Sequence, residues 1–271
     1  MPLTLSAINV YPVKGLQGIA LREAQCTPRG LRHDRRWMVV DEDGEFMSQR
    51  EVPRMATLWT DIEGDRLMLA AAEHREIEVP LEPQSGERIR VRVWNSECEA
   101  IAPSLEADAW LSTVLDGNCR LVYMPDTTRR ESPERYLGGG HLVGFADAFA
   151  YLLAGESSLA DLNARLIAKQ HPPLPMNRFR PNLVVSGAAP FAEDGWREIR
   201  VGDAVLQSAR PCGRCQVTTT DQSTGEVKGP EPLATLSSYR NSKELGPMFG
   251  MNLVTLRPGA IRVGLPVEVT T

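Results

Sequence analysis

The segment Arg88-Ile89-Arg90-Val91-Arg92-Val93 alternates charged and apolar side chains with period two. Only a β-strand puts every second residue on one face, so this run commits its stretch of chain to a sheet with one buried and one solvated side. Arg36-Trp37-Met38-Val39-Val40, then Asp43-Gly44, then Glu45-Phe46-Met47 reads as a hairpin. Residues 1–10, 119–124 and 182–187 read as further strands. Twenty prolines and 22 glycines in 271 residues suit short strands and turns rather than a helical bundle.

Two helices interrupt this pattern. Over 104–115, Ser104 is the expected N-cap, and Ala107, Trp110, Leu111, Val114 and Leu115 form one stripe. A second starts from Ser158 as its cap, with Leu159, Leu162 and Leu166 at i, i+3 and i+7. Residues 216–220, Gln-Val-Thr-Thr-Thr, are β-branched enough to predict a strand. Ile199–Val205 echoes Ile261–Val267, and each copy predicts a strand, a glycine turn and a returning strand. Residues 125–140 are polar and turn-rich, either a linker or a loop over a site. The expected fold is therefore α+β and predominantly β: a β-barrel-like domain over 1–120, then a second β-barrel domain with a few helices over 121–271.

Function classes narrow on charge and cysteine usage. A net charge of −5 does not favour nucleic-acid binding. No stretch approaches the ~20 apolar residues of a membrane span, and the N-terminus lacks a basic start followed by an apolar run, so a cytosolic protein is expected. Five cysteines are too few for a disulfide scaffold; Cys26, Cys98 and Cys119 are expected to be buried small hydrophobes. Arg29, Arg32, Arg35 and Arg36 are either a solvated strip or a site for a small anion.

Cys212-Gly213-Arg214-Cys215 has three physical readings. Structural zinc needs two more ligands, yet there is no second cysteine pair, and His33, His74, His141 and His171 are scattered. A dithiol redox pair normally opens a helix, which the strand expected after Cys215 does not provide. A single thiolate ligand to a redox metal needs one cysteine, a nearby cation such as Arg214, and rigid support. The pair alone does not choose among them. Arg178-Phe179-Arg180-Pro181-Asn182 offers guanidinium forks and an amide on a proline-stiffened turn. Tyr11-Pro12-Val13-Lys14-Gly15 offers a point charge beside a permissive glycine.

These segments occur in order with His33-Asp34-Arg35-Arg36-Trp37, Phe145-Ala146-Asp147, Ser157–Asn163 and Phe249-Gly250-Met251-Asn252. The set resembles the MOSC superfamily, and within it the group with an N-terminal MOSC β-barrel domain to which the mitochondrial amidoxime-reducing component belongs. The resemblance covers essentially the whole chain. It implies a molybdenum–molybdopterin cofactor at the seam of the two domains, with Cys215 as the metal's thiolate ligand. It implies that Gly213, Arg214, Lys14, Gly15, Arg35, Arg180, Asn182 and Asn252 bind the cofactor. Asp147 matches a carboxylate near the metal, a candidate proton relay or hydrogen-bond partner. Ala148 and Phe149 fill cofactor-binding positions where relatives often place Thr and Ser, so two hydroxyl donors are gone.

The implied reaction is two-electron reduction of a small N-hydroxylated compound of amidoxime or hydroxylamine type, whose N–O oxygen leaves as water. With no cysteines at ferredoxin spacing, no intrinsic iron–sulfur cluster is expected. Electrons would then come from a separate protein of ferredoxin, flavoprotein or cytochrome type. The competing classes are a carrier of molybdenum cofactor or sulfur without turnover, and a thiol-redox or binding domain.

Overall fold

The alternating arginine run forms the strand Glu87–Val93, which buries Val91 and Val93 and leaves Arg88, Arg90 and Arg92 in solvent. It pairs along its whole length with Ser96–Ala102, and the five-stranded sheet continues through Arg120–Tyr123, Trp37–Val40 and Val13–Lys14. The computed structural model to which these strands belong describes residues 2–271. Helix Leu105–Leu115 closes one face. Ser104 Oγ accepts the Ala107 N–H at 3.1 Å, a cap worth about 1 kcal/mol. Its stripe of Ala107, Leu111 and Val114 packs on Trp37, Val39 and Leu121. The predominantly β, α+β class expected from sequence holds.

The second sheet has nine strands. At its centre Tyr151–Gly155 runs parallel to Leu183–Ser186, and the crossover this requires is made by helix Glu156–Ala168. Antiparallel neighbours extend it to Gly246–Arg257, Ala204–Gly213 and Glu198–Val201. The first strand, Thr4–Val10, lies here too, in register Thr4↔Ser186 and Ile8↔Leu183. Glu23–Thr27 pairs with Gly259–Arg262. Leu5, Ile8, Cys26 and Leu31 thus share a core with Leu153, Leu183, Leu206 and Leu253. The chain enters through the sheet of its C-terminal half before crossing to build the other.

Several local expectations change. Helix Glu156–Ala168 has Gly155, not Ser158, as its N-cap. Ser158 Oγ instead donates to the buried Glu193 carboxylate, 2.7 Å from Oε1. Glu198–Val201 and Ala204–Gly213 do form a hairpin, but the second copy of the echo does not. There Gly259–Arg262 and Val267–Thr270 join different sheets. The hairpin after Trp37–Val40 shrinks to a Val40–Phe46 bridge. Residues 216–219 form a 3-10 turn rather than a strand, because Thr218 and Thr219 turn their hydroxyls back to the carbonyls of Cys215 (3.0 Å) and Gln216 (2.8 Å). The strand runs into the cysteine pair, through Cys212 to Gly213, and does not start after Cys215.

Candidate functional site

A cleft of about 490 Å³ opens between the two sheets, and every residue that the family resemblance assigns to the cofactor, the metal or the nearby carboxylate lines it. One wall is built on a buried network. Asp34 accepts the Tyr11 N–H (2.8 Å), Asn182 Nδ2 (2.9 Å) and Arg35 Nη1 (2.6 Å). Asn182, 1% exposed, also donates to the Asn9 carbonyl and accepts from Arg35 Nη1 (2.9 Å) and the Leu152 N–H. Both amide atoms are therefore fully engaged by protein, and Asn182 reaches the cleft through Arg35. The Arg35 and Arg180 guanidiniums lie 4.2 and 4.4 Å from the Tyr11 ring centroid. Burial pushes Arg180 down to about 10, so it stays charged at neutral pH. Of the other clustered arginines, Arg29 and Arg36 bond to carbonyls that include Thr128 and Met124, and Arg32 faces Glu82 in solvent.

At the cleft mouth Lys14 Nζ pairs with Asp147 Oδ1. Burial lowers the Lys14 ammonium against the opposing pull of Asp147. Burial also works to raise Asp147, but the Lys14 charge and hydrogen bond outweigh it and hold the carboxyl below its ordinary range. The Asp147 side chain is 58% exposed through the mouth. Trp94 Nε1 donates to the same oxygen at 3.1 Å. This tryptophan is 42% exposed at φ +56, an uncommon conformation for so large a side chain, and stacks on Arg50. Gly15 has φ +87, and a Cβ there would stand 2.9 Å from Met55 Cε, so glycine is the fitting residue. Asp147 and Ala148 are held from behind by buried Arg130, which donates to the carbonyls of Gly144 (2.6 Å), Ala146 (2.7 Å) and Asp147 (3.0 Å).

The opposite wall carries the cysteines, both half-buried and both thiols. Arg214 does not serve Cys215 as expected: its Nη1 lies 2.9 Å from Cys212 Sγ, and its Nη2 holds the Phe179 carbonyl. The turn after Cys215 is fixed instead by the buried Arg178, whose Nε donates to the Thr218 carbonyl at 3.0 Å.

Comparison with known proteins agrees with this architecture. Residues 2–118 match the MOSC N-terminal beta barrel domain and residues 141–268 the MOSC domain. The chain is a member of the MOSC family. Among its curated relatives, the mitochondrial amidoxime-reducing component 1 of Mus musculus is 35% identical, the alignment covering 97% of this chain and 81% of the relative. The Homo sapiens component 1 is 34% identical over 97% and 82%. The Rattus norvegicus mitochondrial amidoxime reducing component 2 is 35% identical over 97% and 82%. These names overturn the cytosolic expectation, which rested on the lack of an apolar span and of a recognisable leader: the relatives are mitochondrial components. Among the described residues no helix is long and apolar enough to cross a membrane. The YUAD protein of Bacillus subtilis superposes on 99% of this chain and 96% of its own, at 11% identity and a TM-score of 0.42, too loosely to add to the argument.

The MOSC cleft contains cations that sequence reasoning missed. Arg50, Arg135 and Arg210 join Lys14, Arg35, Arg180 and Arg214, against only Asp147 and Glu244. A chain of net charge −5 thus concentrates positive potential in one cavity, as an anionic ligand requires. Arg210 and Arg214 each keep a buried Nε with no partner. Among the described residues no cluster of three His, Cys, Asp or Glu could hold a metal by itself. A metal bound beside Cys215 must bring most of its ligands with it, and soft sulfur ligands match a thiolate. On donor set, charge and unpartnered N–H groups, the cleft fits a molybdenum–pterin phosphate. Arg210 had a legible signal: on a strand it falls on the same face as Cys212. That signal was lost by placing the strand after the pair.

Proposed function

We propose that this MOSC protein is a molybdenum-cofactor-dependent reductase of small N-hydroxylated compounds, supplied with electrons by a separate donor protein. The observation that carries the reading is a single cavity in which a half-buried thiol, Cys215, faces Lys14 and six arginines. The names of its curated relatives give the reaction class. In this reading Cys215 supplies the thiolate ligand, and Lys14, Arg35, Arg180 and Arg214 hold the pterin's polar and anionic groups. Gly15, Gly213 and Asn252 shape the cleft wall, while Ala148 and Phe149 give backbone and packing surface without hydroxyls. When bound, the cofactor supplies the electron pair for cleavage of the substrate N–O bond.

The protein's own residues manage position and protons. Asn182 fixes Arg35, and Arg178 fixes the turn that presents Cys215. Reduction consumes two electrons and two protons and releases water. Lys14, its ammonium made a readier acid by burial, donates a proton at the cleft mouth. Asp147, kept ionised, orients that ammonium and accepts rather than donates. Residues 1–120 would then contribute Lys14, Arg35 and the Trp94 side of the mouth, and residues 121–271 Asp147 and the thiol wall, with Thr4–Val10 crossing between them.

A second reading draws on the Arg214–Cys212 contact, which places a guanidinium on the first thiol as a dithiol site would. The deciding experiment is production in a cofactor-competent host. Molybdenum near one atom per chain, with turnover of benzamidoxime driven by reduced viologen but not by NADH, is expected. Stoichiometric zinc without molybdenum, or cofactor-loaded protein that turns over no N-hydroxylated compound, overturns the proposal.

A further inference from the structure

The Arg210 guanidinium is built rigidly and left short of partners. It lies 4.5 Å from the Tyr136 ring centroid and 5.7 Å from that of Phe149. Its Nη1 donates to Tyr136 Oη at 2.5 Å, and its side chain is only 24% exposed. Of its five N–H donors this is the one bond made among the described residues; Nε is buried with none there. The nearest carboxylate, Glu244, stands 3.9 Å from Nη1, beyond hydrogen-bond reach, and is itself 64% exposed. Arg135 shares that same distant carboxylate at 3.7 Å. Glu244 is already engaged by the Tyr136 hydroxyl. Two guanidiniums therefore converge on one loosely held counter-ion. A desolvated cation with unfilled donors is unfavourable unless an anion completes it.

Position gives the anion its place. Arg210 stands opposite Asn252 in the sheet register, two residues before Cys212 on the strand that leads to Cys215. Arg210, Arg135, Phe149, Glu244 and Asn252 all line the cleft. Beside them Ala148 and Phe149 present no side-chain donor. A phosphate suits two guanidiniums, since it is doubly charged and offers paired oxygens to each fork.

We propose that Arg210, assisted by Arg135, is the phosphate anchor of the cleft, holding the tail of the bound cofactor in place of side-chain hydroxyls. Glu244 is the placeholder that the phosphate displaces. The inference rests on the cofactor reading above. The phosphate belongs either to a pterin monophosphate or to the diphosphate of a nucleotide-extended pterin.

The test compares the wild-type chain with Arg210→Met, Arg210→Lys and the surface control Arg88→Met, all from one cofactor-competent host. Pterin, molybdenum and acid-released nucleotide are measured per chain after gel filtration, with thermal melts on the emptied proteins. Arg210→Met should lose pterin by about tenfold or more with its empty-state melt unchanged, Arg210→Lys should lose less, and Arg88→Met nothing. Released nucleotide in the wild type identifies the diphosphate, and its absence the monophosphate. In a second arm, inorganic phosphate is titrated calorimetrically into the emptied proteins, and only those retaining Arg210 should bind it. Wild-type pterin content in Arg210→Met at an unchanged melt overturns the anchor. If the wild type itself retains no pterin, the cofactor reading falls and the phosphate titration alone decides: binding lost in Arg210→Met sustains the anchor, while equal binding, or none, overturns it.

Discussion

Asn182→Ala is the substitution whose cost the structure defines most completely. The amide is 1% exposed and makes four side-chain hydrogen bonds, two as donor to Asn9 O and Asp34, two as acceptor from Arg35 and the Leu152 N–H. At roughly 0.5–1.5 kcal/mol net for each, truncation should destabilise the emptied protein by about 2–6 kcal/mol. Asp34 and Arg35 keep their mutual pair, so no charge is abandoned and the fold should survive. What is lost is the clamp on the Arg35 fork. Cofactor content should therefore fall along with stability. The assay is urea unfolding of emptied wild-type and variant protein, together with pterin content of the loaded forms. A shift below about 1 kcal/mol at unchanged urea dependence would refute the claim that Asn182 holds together the buried network behind one cleft wall. Asn182→Asp gives a cross-check: it sets a second carboxylate against Asp34, and its added destabilisation should ease as the pH is lowered.

Cys215→Ser should abolish turnover and strip molybdenum, while Cys212→Ser keeps most of the metal; equal, complete loss in both would favour the dithiol site. Asp147 lies below its ordinary range in the folded chain, so its pairing with Lys14 is intact above the unfolded value of about 3.9 and is lost only as pH falls through the lower folded one. The pH profile of kcat/KM should thus show no Asp147 limb above about pH 5, and Asp147→Asn, by removing the charge that props up Lys14, should move the alkaline limb to lower pH. An unmoved alkaline limb would take Lys14 out of proton delivery. Gly15→Ala should cost about 1–2 kcal/mol through its left-handed backbone and the Met55 contact, read by thermal melting; an unchanged melt contradicts that backbone assignment.

The sequence was most legible where local pattern and final environment coincide. The period-two run at 88–93 and the capped helix at 104–115 carry their own periodicity, and both formed as read. It misled where a distant partner decided the outcome. Ser158 has the chemistry of an N-cap, but the Glu193 carboxylate claims its hydroxyl from 35 residues away. Residues 261–267 have the chemistry of a hairpin, but their neighbours in space are Glu23–Thr27 on one side and Glu198–Val201 on the other. The threonines after Cys215 have strand propensity, yet their hydroxyls satisfy the backbone locally and close a turn. In the cleft, the charged motif residues were visible as isolated segments. Arg130 was not, and Arg178 was visible only as a guanidinium fork, because nothing in their local sequence says which carbonyls they will reach.

The placement of Thr4–Val10 bears on how the chain is made. Its pairing partner in the nine-stranded sheet, Leu183–Ser186, lies about 180 residues downstream. During synthesis the first strand emerges from the ribosome with its neighbour not yet translated. Residues 37–123 can assemble around their own core in the meantime, tethering the waiting strand close to where it is needed. The sheet that bears Cys215 can then close only late, by a contact of long sequence separation, which slows folding and leaves the Leu183–Ser186 edge open to other strands until it does. Residues 141–268 released by themselves would keep that edge open permanently, so the thiol wall is a piece of the whole chain rather than a module that can be lifted out.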